Sequence, residues 1–360
     1  MIDVLNWAKS LSDAVPAIRE PRIWRAEKKR FMDEARERFT LDKPEHGHLS
    51  DYRNALYRHR VTYSEYMYSY EFWRLDEAAR SEFLSNSEVQ CVYRALGSAR
   101  VRNIFRNKPQ FLTAFAPFVN RRWALATNLS KKEFERMISG AGCIAKPVDG
   151  SQGAGILKLR TEGGNDVSAV YRKCLSERLL LEECVTSCEE MAAFHPVSLN
   201  TLRVVTISEK DRFEVFGAIF RMGTGNSVID NTHAGGIYAP INVASGRIEV
   251  PAIDARNNRY ERHPDTDVPI VGFQVPAWKE VLEVCRQATR QIPGIRFAGW
   301  DLAVCADGRV ELIEGNHAPD FDGGMQAPLK IGVKKRFQET VQRVIGTDPL
   351  KRIHYYHKKS

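Results

Sequence analysis

The sequence predicts an α+β protein built on antiparallel hairpins. The first observation is a change of texture near Val101: before it the chain is charge-dense and helically spaced, with little Pro or Gly. The second is the alternation, after it, of short β-rich runs with glycine turns. The third is an Asp307-Gly308 pair between two such runs, a strong hairpin signal.

Taken in order, Ile23–Phe39 reads as a helix dense in Arg, Lys and Glu, with Trp24, Phe31, Met32 and Phe39 as scattered apolar positions. A second helical run passes through Tyr52, Tyr63, Tyr66, Tyr70 and Trp73, and a third spans Ala78–Leu84. Two readings stand for this region: a basic helical cap with its aromatics in a core, or an aromatic and basic face for a polymeric anionic acceptor. Strands are expected at Cys143–Pro147, Ile156–Leu159, Leu179–Leu181, Thr201–Ile207, Phe213–Phe220, Ala298–Cys305 and Val310–Glu314. Helices are expected at Lys131–Ser139, Val167–Ser176 and Trp278–Gln291. There is no internal repeat and no low-complexity linker.

Composition narrows the function classes. The 360 residues are 43% hydrophobic and 27% charged, a globular balance. No apolar run approaches the ~20 residues of a membrane helix, and the start lacks signal-peptide character, so the expectation is a cytoplasmic protein without a membrane span. The seven cysteines (91, 143, 174, 184, 188, 285, 305), an odd number in a long chain, fit reduced thiols better than a disulfide framework, and without a C-x-x-C pair no structural zinc site is expected. Lys plus Arg is 53 against 45 Asp plus Glu, a net charge of +8 that suits an anionic partner. No nucleic-acid-binding signature accompanies it, so no nucleic-acid partner is expected.

Two segments carry chemistry. If Asp307-Gly308 is a two-residue loop, Ala306 faces Arg309 and Asp301 falls opposite Glu314. Their Cβ atoms would then be ~5 Å apart. The face shared with Asp301 would carry Ala303, Cys305, Val310 and Leu312, with Asn316 two residues past Glu314. Two acids and an amide at one end of an apolar face suit Mg²⁺, which relieves their repulsion and keeps positions for phosphate oxygens. The other segment, Ile144–Leu159, reads strand, glycine loop, strand. Its loop, Gly150, Ser151, Gln152, Gly153, Ala154 and Gly155, is followed by neither Gly-Lys-Ser/Thr nor a helix, which excludes a Walker loop and a dinucleotide fingerprint. Such a loop can close on phosphates through backbone N–H groups, with Lys146 on the incoming strand as a point charge.

These elements in this order resemble the ATP-grasp superfamily from about Val101 to Arg343, closest to its sugar-transfer-associated branch. The likeness is carried by Asn107-Lys-Pro-Gln-Phe, Ala145-Lys-Pro with the glycine loop, Ser198-Leu-Asn-Thr-Leu-Arg-Val, Gly235-Gly-Ile and Glu314-Gly-Asn316. The resemblance implies two α+β lobes with nucleotide between them. It divides the chain into a helical region 1–100, an ATP-grasp domain 101–345 (lid about 130–185, catalytic lobe about 186–345) and a basic tail 346–360. It further implies ATP and Mg²⁺ as cofactors. Lys108 and Lys146 would bind nucleotide, Gly150–Gly155 would be the phosphate lid, and Glu182, Glu183, Cys184 and Val185 the adenine strand. Glu189 best fits the ribose-binding acid, with Glu190 open as its alternative. Asp301, Glu314 and Asn316 would bind metal. Arg203 would face the γ-phosphate or an acyl phosphate, with Arg221 and His233 as further candidates to hold departing charge.

Asn200, Asn231, Gly235, Gly236 and His317 are candidates to line the acceptor pocket; the Asn231–Gly236 stretch reads equally as a hairpin turn. Many relatives continue the last motif as Asn-x-x-Pro-Gly. Here Asp320 replaces that Gly, which sets the acceptor end apart and makes Asp320 a substrate-side candidate. The activity implied is an ADP-forming carboxylate–amine ligase working through an acyl phosphate on small-molecule substrates, in polysaccharide, glycoconjugate or small-metabolite synthesis. The competing expectations are a phosphotransferase acting on a hydroxyl and a non-catalytic ATP-binding module.

Overall fold

The computed structural model describes residues 29, 46–149, 155–160, 166–227, 230, 235–319 and 322–352. Of the expectations above, the Ile23–Phe39 helix, Gly150–Ala154, Asn231, His233, Asp320 and most of the basic tail lie outside the described residues.

Two antiparallel sheets organise the chain. The smaller has β1 (Trp123–Leu125), β2 (Cys143–Lys146), β3 (Leu157–Leu159) and β4 (Leu180–Glu183) in the order β1-β4-β2-β3. The larger has β5 (Thr201–Glu209), β6 (Arg212–Met222), β7 (Ile237–Ile241), β8 (Ala252–Ile253), β9 (Arg259–Tyr260), β10 (Phe297–Val304) and β11 (Val310–Asn316). Its order is β11-β10-β5-β6-β7-β8-β9. The strands expected from the sequence are present to within a few residues.

The N-terminal helices are α1 (His46–Arg58), α2 (Glu77–Glu82), α3 (Asn86–Leu96), α4 (Ala99–Arg106) and α5 (Lys108–Ala114). Capping fixes where several begin: Asp76 accepts from Ala79 N, Ser85 and Glu88 form a reciprocal capping box, and Asn107 accepts from Gln110 N just before Pro109. The small sheet is backed by α6 (Lys131–Ile138) and α7 (Val167–Ser176), whose Phe134, Met137, Ile138 and Cys174 bury Cys143, Ala145 and Leu181. Strand alternation turns Ile144, Lys146, Leu180 and Glu182 to the opposite face, and Leu180 joins the core of the large sheet.

On the large sheet, Trp300, Leu302, Val304 and Leu312 pack in one core with Phe105 and Phe115, and with Trp278, Val281 and Cys285 of α9 (Trp278–Gln291). The short helix α8 (Glu189–Ala192) joins the sheets. The other face is covered at one end by α11 (Lys334–Ile345), where Phe337 and Val341 meet Val205, Ile207 and Phe297; α10 (Asp322–Leu329) precedes it. The site occupies the rest of that face.

Most of the described aromatics between Tyr52 and Phe83 are inside. Tyr52, Tyr63, Tyr66, Tyr70 and Phe72 are buried in a core of their own, held by the Arg80–Asp51 ion pair at 2.6 Å. This corrects the aromatic-platform expectation for these residues: once Phe72 and Phe83 pack on them, the rings lose more by facing water.

Gln326 pins this region to the large lobe. Its amide nitrogen donates to Tyr70 Oη (3.0 Å) and Leu84 O (2.9 Å), and its oxygen accepts from Leu84 N (2.8 Å) and Val333 N (3.0 Å). Gln326→Leu should cost about 3 kcal/mol by leaving buried backbone groups unpaired; denaturant melts of the two proteins measure it.

Candidate active site

Strand register builds the site. Arg221 of β6 pairs with Thr201 of β5, Arg203 of β5 with Asp301 of β10, and Asp301 with Glu314 of β11, while Asn316 lies opposite Gly299. Directly paired residues share a face, so these five polar side chains and the Thr201 hydroxyl form one continuous patch. Gly299 is required there, because a Cβ would fall 2.5 Å from Pro319 Cβ and 3.4 Å from Arg203 Cδ.

The Asp301–Glu314 pairing is as expected, but the route to it differs. Gly308 has φ +81°, whereas Asp307 does not have positive φ, so the type I′ geometry of a two-residue loop is not met. Cys305 N instead donates to Arg309 O and Gly308 N to Cys305 O, leaving a three-residue loop. Leu302 therefore faces Leu312 and Ala303 faces Glu311. A bulge between Asp301 and Leu302, with Ile313 the extra residue on β11, then restores Asp301 to Glu314. The expected face composition is thus corrected: Ala303 shares its side with Glu311, and Leu312 belongs to the opposite, apolar side.

Asp301 is 4% exposed. Arg203 grips it in a fork (Nε–Oδ1 2.6 Å, Nη2–Oδ2 2.7 Å), and Arg221 Nη2 adds a contact at 3.0 Å to Oδ2. Burial alone would raise its pKa, but the two guanidiniums outweigh burial and hold it below the ordinary aspartate value. Glu314 has the reverse balance. Burial, then the Asp301 charge, push its pKa up, and Lys146, Lys108 and Arg203 only partly offset them. The Asn316 amide nitrogen lies 3.4 Å from Asp301 Oδ2.

The smaller sheet faces this patch with Lys146 and Glu182, joined at 2.6 Å. Glu182 is buried; Lys146 and Arg121 more than offset the desolvation and keep it ionised. Its carboxylate therefore orients Lys146. Lys108 opens α5 and is half-buried; desolvation lowers its pKa, against the pull of Glu314. Lys108, Lys146, Glu182, Arg203, Arg221, Asp301, Glu314 and Asn316 are thus gathered around the acid pair.

Other expected residues lie elsewhere. Glu183 pairs with Arg122 at 3.0 Å on the surface, and Cys184 is a half-buried thiol whose pKa burial raises. Val185 follows it in the connection, and Glu189 is exposed on the first turn of α8, beside Glu190. Asn200 is fully buried and fully used, donating to Met191 O and His195 O and accepting from Gly223 N. That bonding makes it a structural brace. Gly155 (φ +75°) ends the glycine loop, and Gly235 (φ +97°) accepts from Thr224 Oγ1. A Cβ on Gly236 would meet Asp230 O. The His317 pKa is pushed down to about 4 by burial and the charges of Arg106 and Arg102, so its imidazole is neutral at pH 7.

Four participants escaped sequence reading. Asp230 is bonded by the Thr201 hydroxyl and lies 3.7 Å from Arg221 Nε. Thr201 also accepts from Arg221 Nη2 at 2.7 Å. Arg121 and Glu311, both nearly fully buried, bond to each other at 2.8 Å. No local pattern marks them, since each pairing spans many residues of chain.

The donor set suits a hard divalent cation. Two opposed carboxylates and an amide offer oxygen ligands from three side chains, and a cation there would offset the burial and the Asp301 charge that together raise the Glu314 pKa. Among the described residues no cluster of three or more His, Cys, Asp or Glu side chains could hold a metal, so Asn316 would have to be the third ligand.

Two antiparallel sheets, with paired acids on one and a lysine on the other, agree with the ATP-grasp fold that the resemblance implies. The sequence matches the sugar-transfer associated ATP-grasp family over residues 124–342, and the chain belongs to that family. Solved structures with a similar fold include the ATP-grasp ligase PsnB complexed with a phosphomimetic variant of its minimal precursor, Mg and ADP. It has 17% identity and a TM-score of 0.40, with 68% of this chain and 61% of that chain covered. Another is N5-carboxyaminoimidazole synthase from Aspergillus clavatus with ADP and 5-aminoimidazole ribonucleotide (11% identity, TM-score 0.40, 65% and 53% covered). A third is an L-amino acid ligase from Bacillus licheniformis (13% identity, TM-score 0.38, 64% and 48% covered). The chain spans less than two thirds of the length of each of these. No curated protein matches it. No described helix is long and apolar enough to cross a membrane.

Proposed function

We propose that this chain is an ATP- and Mg²⁺-dependent carboxylate–amine ligase that forms an amide and releases ADP and phosphate. The observation that carries the reading is the Asp301–Glu314 pair across β10 and β11, set among Arg203, Arg221, Lys108 and Lys146. Lid and catalytic lobe correspond in this reading to about 130–185 and 186–345.

Lys146, oriented by Glu182, and Lys108 would hold the nucleotide phosphates. Asp301, Glu314 and Asn316 would hold Mg²⁺, which when bound neutralises charge on the phosphate oxygens. Arg203 and Arg221 would steady the transferring phosphoryl group, work that is mainly positioning and electrostatics. A carboxylate oxygen attacks the γ-phosphorus and ADP departs. The amine then attacks the acyl carbon, phosphate leaves with the C–O bond electrons, and the ammonium proton passes to solvent. Closure of the Gly150–Gly155 loop would protect the acyl phosphate from water. His317, neutral beside Asn316, and the Asn231–Gly236 stretch with His233 would border the acceptor, along with Asp320. The basic surface suits anionic small molecules such as sugar acids or amino acids.

The test is ADP release by the purified protein with MgATP across a matrix of carboxylates and amines, followed by product mass. Release that requires both partners, with an amide product, is expected. A stable phosphate ester on a hydroxyl acceptor would replace the ligase by a phosphotransferase, and nucleotide binding without turnover on any pair would leave a binding module.

A further inference from the structure

A buried ion chain joins the two sheets beneath the site. Arg121, just before β1, is 8% exposed. Its Nε donates to Glu182 Oε2 (2.6 Å) on the small sheet. Its Nη1 donates to Glu311 Oε1 (2.8 Å) and Leu312 O (2.7 Å) on the large one, and its Nη2 to Ile313 O (2.9 Å). Glu311, 2% exposed, is held besides by Asn120 N, Asn120 Nδ2 and Arg121 N at 3.0–3.2 Å. Glu182 in turn contacts Lys146 at 2.6 Å.

Two of these contacts fall where the site is most demanding. Ile313 is the bulged residue, and its backbone falls out of the β10–β11 ladder. A part-buried carbonyl that has left the ladder needs a donor from elsewhere, and Arg121 supplies it. Without the bulge, the register of the loop end would place Asp301 opposite Ile313 and turn Glu314 to the apolar side. The remaining contact braces Glu182, which orients Lys146. One guanidinium thus reaches both the acid pair and the phosphate lysine.

The geometry points to Arg121 as a positioning residue that sets the Glu314 register and the Lys146 direction together, with Glu311 as its anchor. This rests on the ligase reading only in assigning Mg²⁺ to the acid pair and phosphate to Lys146. Only arginine fits the role, because four donors must leave one plane in fixed directions; a lysine keeps the charge and loses the fork.

The test is Mg²⁺ titration of ATP binding, read by calorimetry on Arg121→Lys and the wild type, with melting temperature recorded for both. Arg80→Lys serves as a matched control, because Arg80 is also buried and ion-paired but belongs to the N-terminal core. Both variants should melt lower. Only Arg121→Lys should raise the half-saturating Mg²⁺ concentration, by tenfold or more, and weaken ATP binding at saturating Mg²⁺. An unchanged Mg²⁺ requirement in folded Arg121→Lys, or an equal rise in Arg80→Lys, overturns the inference. If Arg121→Lys does not fold, Glu311→Gln decides by the same titration, with a rise of about threefold expected and no change overturning it. Wild-type protein that binds no ATP at any Mg²⁺ concentration would instead remove the ligase reading on which the assignment rests.

Discussion

Asp301→Asn should abolish ATP turnover and destabilise the folded protein, whereas Glu314→Gln should abolish turnover and stabilise it. Both lose a ligand to the proposed metal, so a fall of at least ~10³ in rate is expected for each. Their structural consequences diverge because their surroundings do. Asp301 neutralises two guanidiniums at 2.6–3.0 Å, and its removal leaves Arg203 and Arg221 as neighbouring, part-buried cations. Breaking such a pair costs about 3–5 kcal/mol. Glu314 carries charge that burial and Asp301 disfavour, so a neutral amide of the same shape relieves that penalty.

The pH dependence separates the two further. The folded Asp301 pKa lies below its unfolded value, so its contribution is present above the unfolded pKa and disappears as pH falls through the folded one. The folded Glu314 pKa lies above its unfolded value, so its penalty grows as pH rises through the folded pKa and vanishes below the unfolded one. Melting curves in EDTA from pH 3 to 8 read both effects. Shifts of the same sign at pH 7 would mean that the two acids share one environment, contrary to the ion pairs described.

The distribution of these charges explains what could be read from the sequence. Strands, helices and the facing of Asp301 by Glu314 were legible because alternation and an Asp-Gly turn are local signals. The register itself came out correctly through two opposite one-residue deviations. The three-residue loop followed from Asp307 declining positive φ, and the bulge at Ile313 compensated for it. A bulge without glycine leaves no mark in sequence, and here it is sustained by Arg121, nearly two hundred residues away in the chain. Arg121, Glu311 and Asp230 were invisible for that reason: buried ion pairs are set by which strands meet, not by neighbours in sequence. Lys146 was legible as a strand residue before a glycine loop, but its partner Glu182 read as an adenine-strand residue until the sheet order placed the two on one face.

Gly315→Ala should impair the site through packing alone. Gly315 lies between Glu314 and Asn316, opposite Trp300, in ordinary extended backbone that alanine adopts without strain. The difficulty is space: a Cβ would sit 2.5 Å from Phe111 Cε2 and 3.2 Å from Phe105 Cε2. Phe111 belongs to α5, one turn after Lys108, and both rings are buried among Phe115 and Trp300. Neither ring can withdraw without displacing its neighbours, so α5 must move away from β11 and carry Lys108 from the acids. Overpacking of this kind costs about 1–3 kcal/mol. The KM for ATP should rise about tenfold if the lysine loses one charge-assisted phosphate contact. Phe111→Leu alone should lose about 1 kcal/mol to a small cavity. The double variant should be more stable than the sum of the single losses by at least ~1 kcal/mol, because the smaller side chain admits the methyl group. Additive losses across that cycle would show that the glycine is not kept small by Phe111, and a normal KM in a destabilised Gly315→Ala would uncouple α5 from the nucleotide.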